Sequence, residues 1–263
     1  MQRYIIPPLT RDYQTQPIIL SDDFHHHMVH VMRMKQGEQV YLADNSGISF
    51  VAELIDISAN TVSLKWVADE DRSTELPVKI TIACGLPKGD KLEYIVQKGT
   101  ELGAAAFLPF AAKNAVVKWT ADKSAKKQQR LQKIAREAAE QSHRQKEPFV
   151  HPVHNLKELL AEAEKYSKVL IAYEEDAKVG EGSILVNTLG NLEPGDSLLF
   201  VFGPEGGLAP EELAAFRQAG HKSCALGPRI LRAETAPLYA LAAVSYEMEL
   251  RKRLNSIKKE QFP

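Results

Sequence analysis

The sequence predicts a two-part chain in which a small β-rich unit precedes a larger α/β domain. Five short apolar runs separated by turn residues fill residues 1–70, as in a small β-barrel. A polar stretch, 68–77, then ends in Pro77, which is typical of a domain boundary. Beyond it, candidate strands and helices alternate, a pattern that favours a parallel sheet covered by helices. We therefore assign residues 1–70 to the β-rich unit and 71–263 to the α/β domain.

Composition and charge leave the class of partner open. The 263 residues are 44% apolar, enough for a sizeable core, and their formal net charge is −1. A net charge close to zero does not by itself indicate a nucleic-acid-binding protein, so local clusters of charge have to be considered. Cys84 and Cys224 lie in apolar runs, which predicts buried thiols rather than a disulfide or a zinc site. No run has transmembrane length, and Met1–Leu9 lacks a signal-peptide core, so we expect a cytoplasmic protein without a membrane partner.

The β-rich unit is predicted to contain five strands and one helix. The strand candidates are residues 4–6, 17–20, 39–42, 48–57 and 61–67. Ser21 is the expected N-cap of the helix, and Gly37 lies just beyond its end. The helix places His26 and His30 on one face, a spacing that could hold a metal ion, but no third ligand is apparent. A surface helix is therefore the preferred interpretation.

The α/β domain shows two recurring patterns. Short apolar runs indicate strands buried on both faces, and apolar residues three or four apart indicate helices. The predicted strands are residues 78–84, 105–110, 168–173, 198–202 and 223–226. The predicted helices are 89–102, 156–166, a short one within 180–196, the segment from Pro210 up to Gly220, and 237–254.

Residues 113–146 form a local concentration of positive charge. Ten Lys and Arg side chains oppose four Asp and Glu side chains when Glu147 is counted, and Trp119 lies among them. A solvated helix face and a surface for an RNA backbone both fit this composition. The candidate RNA contacts are Lys126, Lys127 and Arg130, with Lys88 near the start of an earlier helix.

Two loops in the C-terminal part have the composition of ligand-binding loops. Residues 203–207, Gly-Pro-Glu-Gly-Gly, follow a buried strand, and their glycines allow positive φ and close approach of a ligand to the backbone. Taken alone, this segment also fits an ordinary tight turn. Residues 227–235 carry Arg229, Arg232 and Glu234, whose charges need a ligand, a partner chain or each other. In an open α/β sheet such loops line the crevice where ligands bind.

Together the two loops carry a family resemblance. GPEGGLAPEE at 203–212 and LGPRILRAETA at 226–236 resemble the paired signature of the ribosomal RNA small subunit methyltransferase E family, within the SPOUT superfamily. LPKGDKLE at 86–93 and QKGTELG at 97–103 also match. The resemblance implies an α/β domain with a deep C-terminal trefoil knot, preceded by a PUA-like β-barrel that binds RNA. It further implies methylation of N3 of a uridine in small-subunit (16S) ribosomal RNA, with S-adenosyl-L-methionine as cofactor.

The resemblance also implies which residues hold the cofactor and act on the base. Three loops would bind the cofactor through Tyr173, Glu174, Phe202, Gly203, Pro204, Glu205, Gly206, Gly207, Leu226, Gly227, Ile230, Leu231 and Arg232. Arg232 is the first candidate for stabilising negative charge on the uridine. Glu205 and Glu234 are candidate bases, or equally structural acceptors for backbone N–H groups or an arginine. No metal is expected in the reaction.

Partners follow from the same resemblance. Arg144, which ends a Glu-Gln-Ser-x-Arg pattern, is a candidate for catalysis or RNA positioning, and Arg3 is a candidate RNA contact. The expected partners are small-subunit ribosomal RNA, within the assembled subunit, and a second copy of the chain. Leu241 and Met248 of the last helix are candidate interface positions, although they could instead pack on the chain's own sheet.

Three other functions compete with methyl transfer. Dinucleotide binding is disfavoured because residues 203–207 do not read G-x-G-x-x-G and come late in the domain. No glycine loop ends in Gly-Lys-Ser/Thr, so a nucleoside triphosphatase is disfavoured too. A non-catalytic RNA-binding or ribosome-assembly protein would explain the barrel and the basic segment, but not two ligand-type loops after buried strands.

Overall fold

A computed structural model shows the fold of the chain and describes residues 1–9, 12–175 and 183–251. The chain divides into two compact units. Met1–Glu75 and Ala139–Glu147 form the first, and Leu76–Ala138 with the described residues from Pro148 onward form the second. The predicted domain ranges, 1–70 and 71–263, stay predictions. Within the described residues, no helix has both the length and the apolarity needed to cross a membrane.

The first unit is built on a five-stranded sheet. Its strands are β1 (Arg3–Ile5), β2 (Ile18–Ser21), β3 (Gln39–Ala43), β4 (Ser49–Ile57) and β5 (Thr61–Asp69). They lie in the order β1-β3-β4-β5-β2, with β1 parallel to β3 and the other pairs antiparallel. Phe50, Leu54 and Leu64 are fully buried, so one face of the sheet carries the core of the unit. The sheet is a half-barrel, in keeping with the expected PUA-like unit.

The helix expected after Ser21 is shorter than predicted and has a different start. Ser21 is the last residue of β2 and pairs with Thr61, so the prediction that it caps a helix is wrong. Asp22 instead turns the chain with a φ of 54° into α1 (Asp23–His25). A π-helical segment, His26–Val31, continues from α1.

The histidine and cysteine side chains bear on whether the chain binds a metal ion. The rings of His26 and His30 lie 5.4 Å apart, as their spacing predicts. The described part of the chain nevertheless holds no group of three His, Cys, Asp or Glu side chains that could bind a metal ion. Cys84 and Cys224 are buried free thiols, which confirms the prediction, and burial raises the pKa of Cys84 to about 12.

A six-stranded parallel sheet forms the centre of the second unit. Its strands are β6 (Lys79–Gly85), β7 (Ala106–Phe110), β8 (Phe149–Val150), β9 (Lys168–Ala172), β10 (Ser197–Phe202) and β11 (Lys222–Cys224). They lie in the order β11-β9-β10-β6-β7-β8, and every pair is parallel. The short edge strand β8 was not predicted, because two residues are too few for a periodic signal.

Helices cover both faces of this sheet. They are α2 (Lys91–Glu101), α3 (Ala121–Gln141), α4 (Leu156–Ala163), α5 (Ser183–Gly190), α6 (Pro210–Gln218) and α7 (Thr235–Ser245). In β10, Leu198 and Phe200 pack on the side of α2, α5 and α7, while Leu199 and Val201 pack on the side of α4 and α6. This double burial explains why the strand reads as a continuous apolar run. The predicted α/β class is confirmed; the trefoil knot stays a prediction.

The C-terminal helix has one buried and one exposed apolar face. A π-helical segment, Tyr246–Arg251, extends α7, and the predicted helix residues beyond it lie outside the described part of the chain. Leu241 and Met248 are buried in the core of their own unit, so the alternative of packing within the chain holds for both. The exposed apolar side chains are instead Tyr239, Tyr246 and Leu250.

Candidate functional site

Three neighbouring strands bring the three predicted cofactor loops to one edge of the sheet. Ala172, at the end of β9, is in register with Phe202 of β10 and with Cys224 of β11. β9 leads into the tyrosine loop (residues 173–175), β10 leads into the glycine loop (203–207), and β11 leads, after two further residues, into the arginine loop (227–235). Because parallel strands point the same way, these loops begin side by side. The carboxyl edge of an open parallel sheet is the usual place for a ligand.

The glycine loop is a tight structure that needs its glycines. A Cβ atom on Gly203 would lie 2.7 Å from the backbone nitrogen of Leu208, and Gly207 has a φ of +70°. On the neighbouring strand β6, a Cβ on Gly85 would lie 2.6 Å from Cδ of Pro204. Only glycine fits such contacts and dihedrals without displacement of the chain. The loop is therefore closely packed on its own backbone and on β6.

A second loop, after β7, supports the glycine loop from the side. The amide of Asn114 donates a hydrogen bond to the carbonyl oxygen of Gly206 at 3.1 Å. The buried carboxylate of Glu212 accepts from the backbone nitrogens of Lys113, at 2.9 Å, and Ala209, at 2.8 Å. Sequence reasoning missed this support because Asn114 and Glu212 lie far apart along the chain.

The arginine loop ends where α7 begins. The carbonyl oxygen of Arg232 accepts from the backbone nitrogens of Thr235 and Ala236 at 2.9 and 3.0 Å, which fixes its backbone. Its side chain is exposed, and the apolar side chain of Ile230 is 73% exposed. Gly227 has a φ of +109°, and the nearest atom to a Cβ built there is 3.9 Å away, so space remains beside its backbone. The loop thus combines a fixed backbone with an exposed cation and an exposed apolar side chain.

Lys91 joins the two loops. Its ammonium nitrogen lies 3.0 Å from Oε1 of Glu205 in the glycine loop and 3.1 Å from Oε2 of Glu234 in the arginine loop. Oε2 of Glu234 is buried and forms an ion pair with Lys91 rather than a well-aligned hydrogen bond. The backbone nitrogen of Lys88 also donates to Oε1 of Glu205 at 3.1 Å. Lys91 was not among the predicted cofactor-site residues.

The two carboxylates have lowered pKa values. Burial raises the pKa of Glu205, but hydrogen bonds from Lys91 and from the backbone outweigh burial and hold the pKa below its usual value. The pKa of Glu234 is lowered first by a hydrogen bond from its own backbone N–H, and Lys91 and Arg232 lower it further against the effect of burial. Both groups are therefore ionised at neutral pH and are weak bases. Their predicted role as general base stays a prediction.

The tyrosine loop is tied to the neighbouring strand. The backbone nitrogen of Tyr173 donates to the carbonyl oxygen of Cys224 at 3.1 Å, and the guanidinium carbon of Arg217 lies 5.8 Å from the centre of the Tyr173 ring. The side chain of Glu174 is exposed. The chain then enters residues 176–182, which lie outside the described part.

The predicted RNA contacts of the second unit lie on α3 and before α2. Lys126, Lys127 and Arg130 are exposed, and residues 123–136 contain six Lys and Arg side chains and no acidic one. The ammonium of Lys127 lies 4.7 Å from the centre of the Trp119 ring, a cation–π contact. Arg130 forms a 2.7 Å ion pair with Glu93, but its side chain remains 68% exposed. Lys88 is exposed as well.

Arg3 and Arg144 lie in the first unit and have structural partners there. Arg3 is 1% exposed, with its guanidinium 2.6 Å from Glu70. Arg144 is 3% exposed and is paired with the carboxylate of Glu75. A buried arginine with a carboxylate partner has little reach for a phosphate. Their predicted roles toward RNA and in catalysis stay predictions, and the geometry itself gives both a structural role.

One cavity lies away from the three loops. It has a volume of about 490 Å³ and is lined by residues at the amino-terminal ends of β9 and β11, among them Lys168, Lys222 and His221. This is the opposite edge of the sheet from the predicted cofactor loops. Ligands of open parallel sheets bind at the carboxyl edge, so this cavity does not compete for the cofactor.

Comparison with known families agrees with the two units of the fold. Residues 74–245 match the family described as RNA methyltransferase domain. Residues 20–65 match the family described as RNA methyltransferase PUA domain. The first match spans the strands that carry all three loops, and the second spans most of the half-barrel sheet.

Individual relatives match over nearly the whole chain. The ribosomal RNA small subunit methyltransferase E of Bacillus subtilis is 47% identical over 251 residues, which cover 95% of this chain and 98% of the relative. The crystal structure of the Neisseria gonorrhoeae ribosomal RNA small subunit methyltransferase E bound to S-adenosylmethionine is 29% identical, with a TM-score of 0.79 over 93% of this chain and 97% of that one. A Legionella pneumophila protein in complex with the bound cofactor S-adenosylmethionine has a TM-score of 0.79 at 28% identity, over 92% and 96% of the two chains.

Proposed function

The chain belongs to the ribosomal RNA small subunit methyltransferase E family, and we propose that it methylates N3 of a uridine in small-subunit ribosomal RNA. Its activity as an S-adenosylmethionine-dependent ribosomal RNA methyltransferase follows from its relatives. The choice of N3 rests on the resemblance of the two signature loops. One observation carries the proposal: the tyrosine, glycine and arginine loops begin side by side at the carboxyl edge of one parallel sheet.

The three loops fit the cofactor in composition. Gly227 leaves space beside its backbone, where the atom nearest to a Cβ would be 3.9 Å away, so the polar edge of an adenine can approach the backbone there. The exposed Ile230 offers apolar area for a ligand to cover. The residues that would hold it are Tyr173, Glu174, Phe202, Gly203, Pro204, Glu205, Gly206, Gly207, Leu226, Gly227, Ile230, Leu231 and Arg232.

Catalysis of methyl transfer requires that the methyl group be aligned with the attacking atom and that charge on the base be stabilised. It requires no covalent enzyme intermediate. When bound, S-adenosylmethionine supplies an electrophilic methyl group. The loops hold the two reactants in line, which converts an encounter into a near-unimolecular step. N3 of a uridine would give up its proton to water, its negative charge would spread to the base oxygens, and the methyl–sulfur bond would break as the bond between N3 and the methyl group forms. The exposed guanidinium of Arg232, on a backbone fixed at the start of α7, is suited to stabilise that charge.

The acids of the site act mainly as anchors in this proposal. Glu205 and Glu234 hold Lys91, and their pKa values are lowered away from the range in which a general base works best. We therefore place Arg232, and not either carboxylate, at the chemical step.

RNA is held by a basic surface of the second unit together with the PUA-like unit. The exposed cations of α3, with Lys126, Lys127 and Arg130 among them, form a stretch without acidic residues, which suits a phosphate backbone. A ribosomal RNA substrate within the assembled subunit fits this arrangement, and it implies that the protein works in the cytoplasm.

A homodimer completes the proposed assembly. Tyr239, Tyr246 and Leu250 are spaced seven and four residues apart, so they lie along one face of the C-terminal helix, and all three are exposed. This apolar face belongs to the helix that starts at the arginine loop. A second copy of the chain would cover it and would bring its own residues close to the cofactor loops.

The test uses small ribosomal subunits from a strain that lacks the protein. Purified protein and S-adenosylmethionine should restore a single methyl group, which mass mapping should place on one uridine and chromatographic comparison of the released nucleoside with N3-methyluridine should place on N3. The Arg232→Ala variant serves as the inactive control. Methylation of another atom would overturn the choice of N3. Protein that binds RNA but shows no S-adenosylmethionine binding in a calorimeter would favour the non-catalytic alternative.

A further inference from the structure

We propose that Lys91 is a positioning residue that ties the glycine loop to the arginine loop and so keeps the cofactor site formed before the cofactor binds. The inference rests on the proposed function, since it concerns the same site. Its basis is the pair of contacts that one ammonium group makes, at 3.0 Å with Glu205 and 3.1 Å with Glu234.

Lys91 sits on a rigid support. It is the first residue of α2, whose Leu92, Ile95 and Val96 are buried in the core of the unit. Its side chain is 32% exposed, so it is partly covered by the loops it joins. A cation in the first turn of a helix is disfavoured by the helix dipole. Helix stability therefore does not explain a lysine at this position. Its contacts with the carboxylates of Glu205 and Glu234 do explain it.

The charges of the cluster explain why the link matters. Glu205 and Glu234 approach the same ammonium group, so their carboxylates are near neighbours on two different loops. Two like charges at such a separation repel each other, and the repulsion would push the loops apart. One cation between them converts this repulsion into attraction. The backbone N–H of Lys88 also donates to Glu205, which further ties the glycine loop to the segment before α2.

A formed site lowers the cost of binding. Loops that are already in place lose less conformational freedom when the cofactor enters, so the affinity is higher. Without Lys91, each loop keeps its own backbone contacts, but the link between the two loops is lost and the cofactor has to fix their relative position. The alternative is an exposed ion pair of little value, which would contribute next to nothing to stability or to binding.

Two variants of α2 separate these alternatives. Lys91→Met removes the charge and keeps the length of the side chain. Lys98→Met is the matched control, because Lys98 lies on the same helix, is 38% exposed and pairs with Glu101 at 2.8 Å. We expect Lys91→Met to raise the Kd and the KM for S-adenosylmethionine by roughly tenfold to a hundredfold, with a smaller effect on kcat. Lys98→Met should leave Kd, KM and kcat as in the wild type, and Lys91→Arg should recover most of the lost affinity.

A coupling measurement tests whether Lys91 acts through the loops. The Kd of Lys91→Met, of Glu205→Gln and of the double variant should be non-additive, because each change breaks the same contact. If Lys91→Met does not fold, the Glu205→Gln/Glu234→Gln variant breaks the link from the other side and should also raise the Kd.

The outcomes separate this inference from the proposed function. A wild type that fails to bind S-adenosylmethionine overturns the proposed function. A wild type that binds, beside a Lys91→Met variant whose Kd and KM stay within about twofold, overturns the positioning role. A Lys91→Met variant with a lower melting temperature and an unchanged Kd overturns it as well, since that result describes a structural ion pair only.

Discussion

The backbone of Gly203 passes so close to that of Leu208 that a Cβ atom on Gly203 would lie 2.7 Å from the Leu208 nitrogen. The contact closes the glycine loop on itself directly after β10. Real Cβ atoms essentially never lie this close to another heavy atom, so a side chain at this position would force the backbone to shift. The shape of the loop therefore depends on the missing side chain.

The first prediction follows from this contact. Gly203→Ala should distort the glycine loop and weaken S-adenosylmethionine binding strongly, while the buried sheet keeps the protein folded. Gly190→Ala is the control, because a Cβ on Gly190 would meet no atom within 4 Å. Calorimetric titration of both variants decides: equal affinity for the two would show that the cofactor does not depend on this loop.

The second prediction concerns Arg232. Arg232→Ala should fold and, at saturating S-adenosylmethionine, lose about two to three orders of magnitude in methyl-transfer rate, because a preorganised charge donor is gone. Arg229→Ala is the control from the same loop, where the side chain is also exposed. Single-turnover rates on ribosomal subunits give the comparison. Near wild-type turnover by Arg232→Ala would remove this residue from the chemistry.

The third prediction is a pH dependence of stability. The pKa values of Glu205 and Glu234 are lowered in the folded protein from an ordinary 4.5. Their ionised forms therefore stabilise the fold above that value, and the contribution is lost as the pH falls through the folded pKa values. At neutral pH the wild type should have a higher melting temperature than the Glu205→Gln/Glu234→Gln variant. The difference in melting temperature should shrink in acid, below pH 4.5. The control is Glu137→Gln, a change at an exposed position on α3, whose melting temperature should show no such trend relative to the wild type. A difference between the wild type and the double variant that grows in acid would contradict the prediction.

The sequence predicted the local features of the site better than its long-range contacts. Glycines 203, 206 and 207 after an apolar run already indicate a tight loop at a strand end, and the sheet order places it as expected. The contact of Lys91 with Glu205 and Glu234 could not be predicted, because it joins three segments that are distant along the chain. A lone lysine on a helix has no sequence pattern that reveals its partner.

The arginines illustrate the same limit of a local pattern. Arg3 and Arg144 are candidate RNA or catalytic residues from the sequence, and the structure adds that each is buried and paired with a carboxylate, Glu70 and Glu75. Ser21 looked like a helix cap because serine is common there, yet sheet pairing with Thr61 takes that residue. In each case the residue contacts a partner that is distant along the chain, and the local sequence pattern does not reveal that partner.

The fourth prediction concerns RNA binding by α3. Replacing Lys126, Lys127 and Arg130 with Gln should weaken RNA binding and reduce its salt dependence, because each lost phosphate contact lowers the log–log slope by roughly 0.7 to 0.9. A control variant neutralises three exposed lysines elsewhere in the same unit, Lys157, Lys165 and Lys222. Binding is measured over a series of salt concentrations. A slope equal to that of the wild type would mean that the basic face of α3 is only a solvated surface.

The last prediction concerns the second copy of the chain. Tyr246 is 60% exposed and Leu250 is 56% exposed, on the same helical face as Tyr239. Large apolar side chains grouped on one face mark an interaction surface, and an obligate interface of this kind buries about 2,000 Å² or more with an apolar centre. A charge placed there should be left buried without a partner and should split the dimer. We expect the wild type to sediment as a dimer at micromolar concentration and Tyr246→Asp/Leu250→Asp to sediment as a folded monomer of 29.3 kDa. Val186→Asp, a matched change at a 67% exposed position on α5, should remain dimeric. A wild type that sediments as a monomer and still methylates ribosomal RNA would contradict the dimer and would show that one chain is sufficient for catalysis.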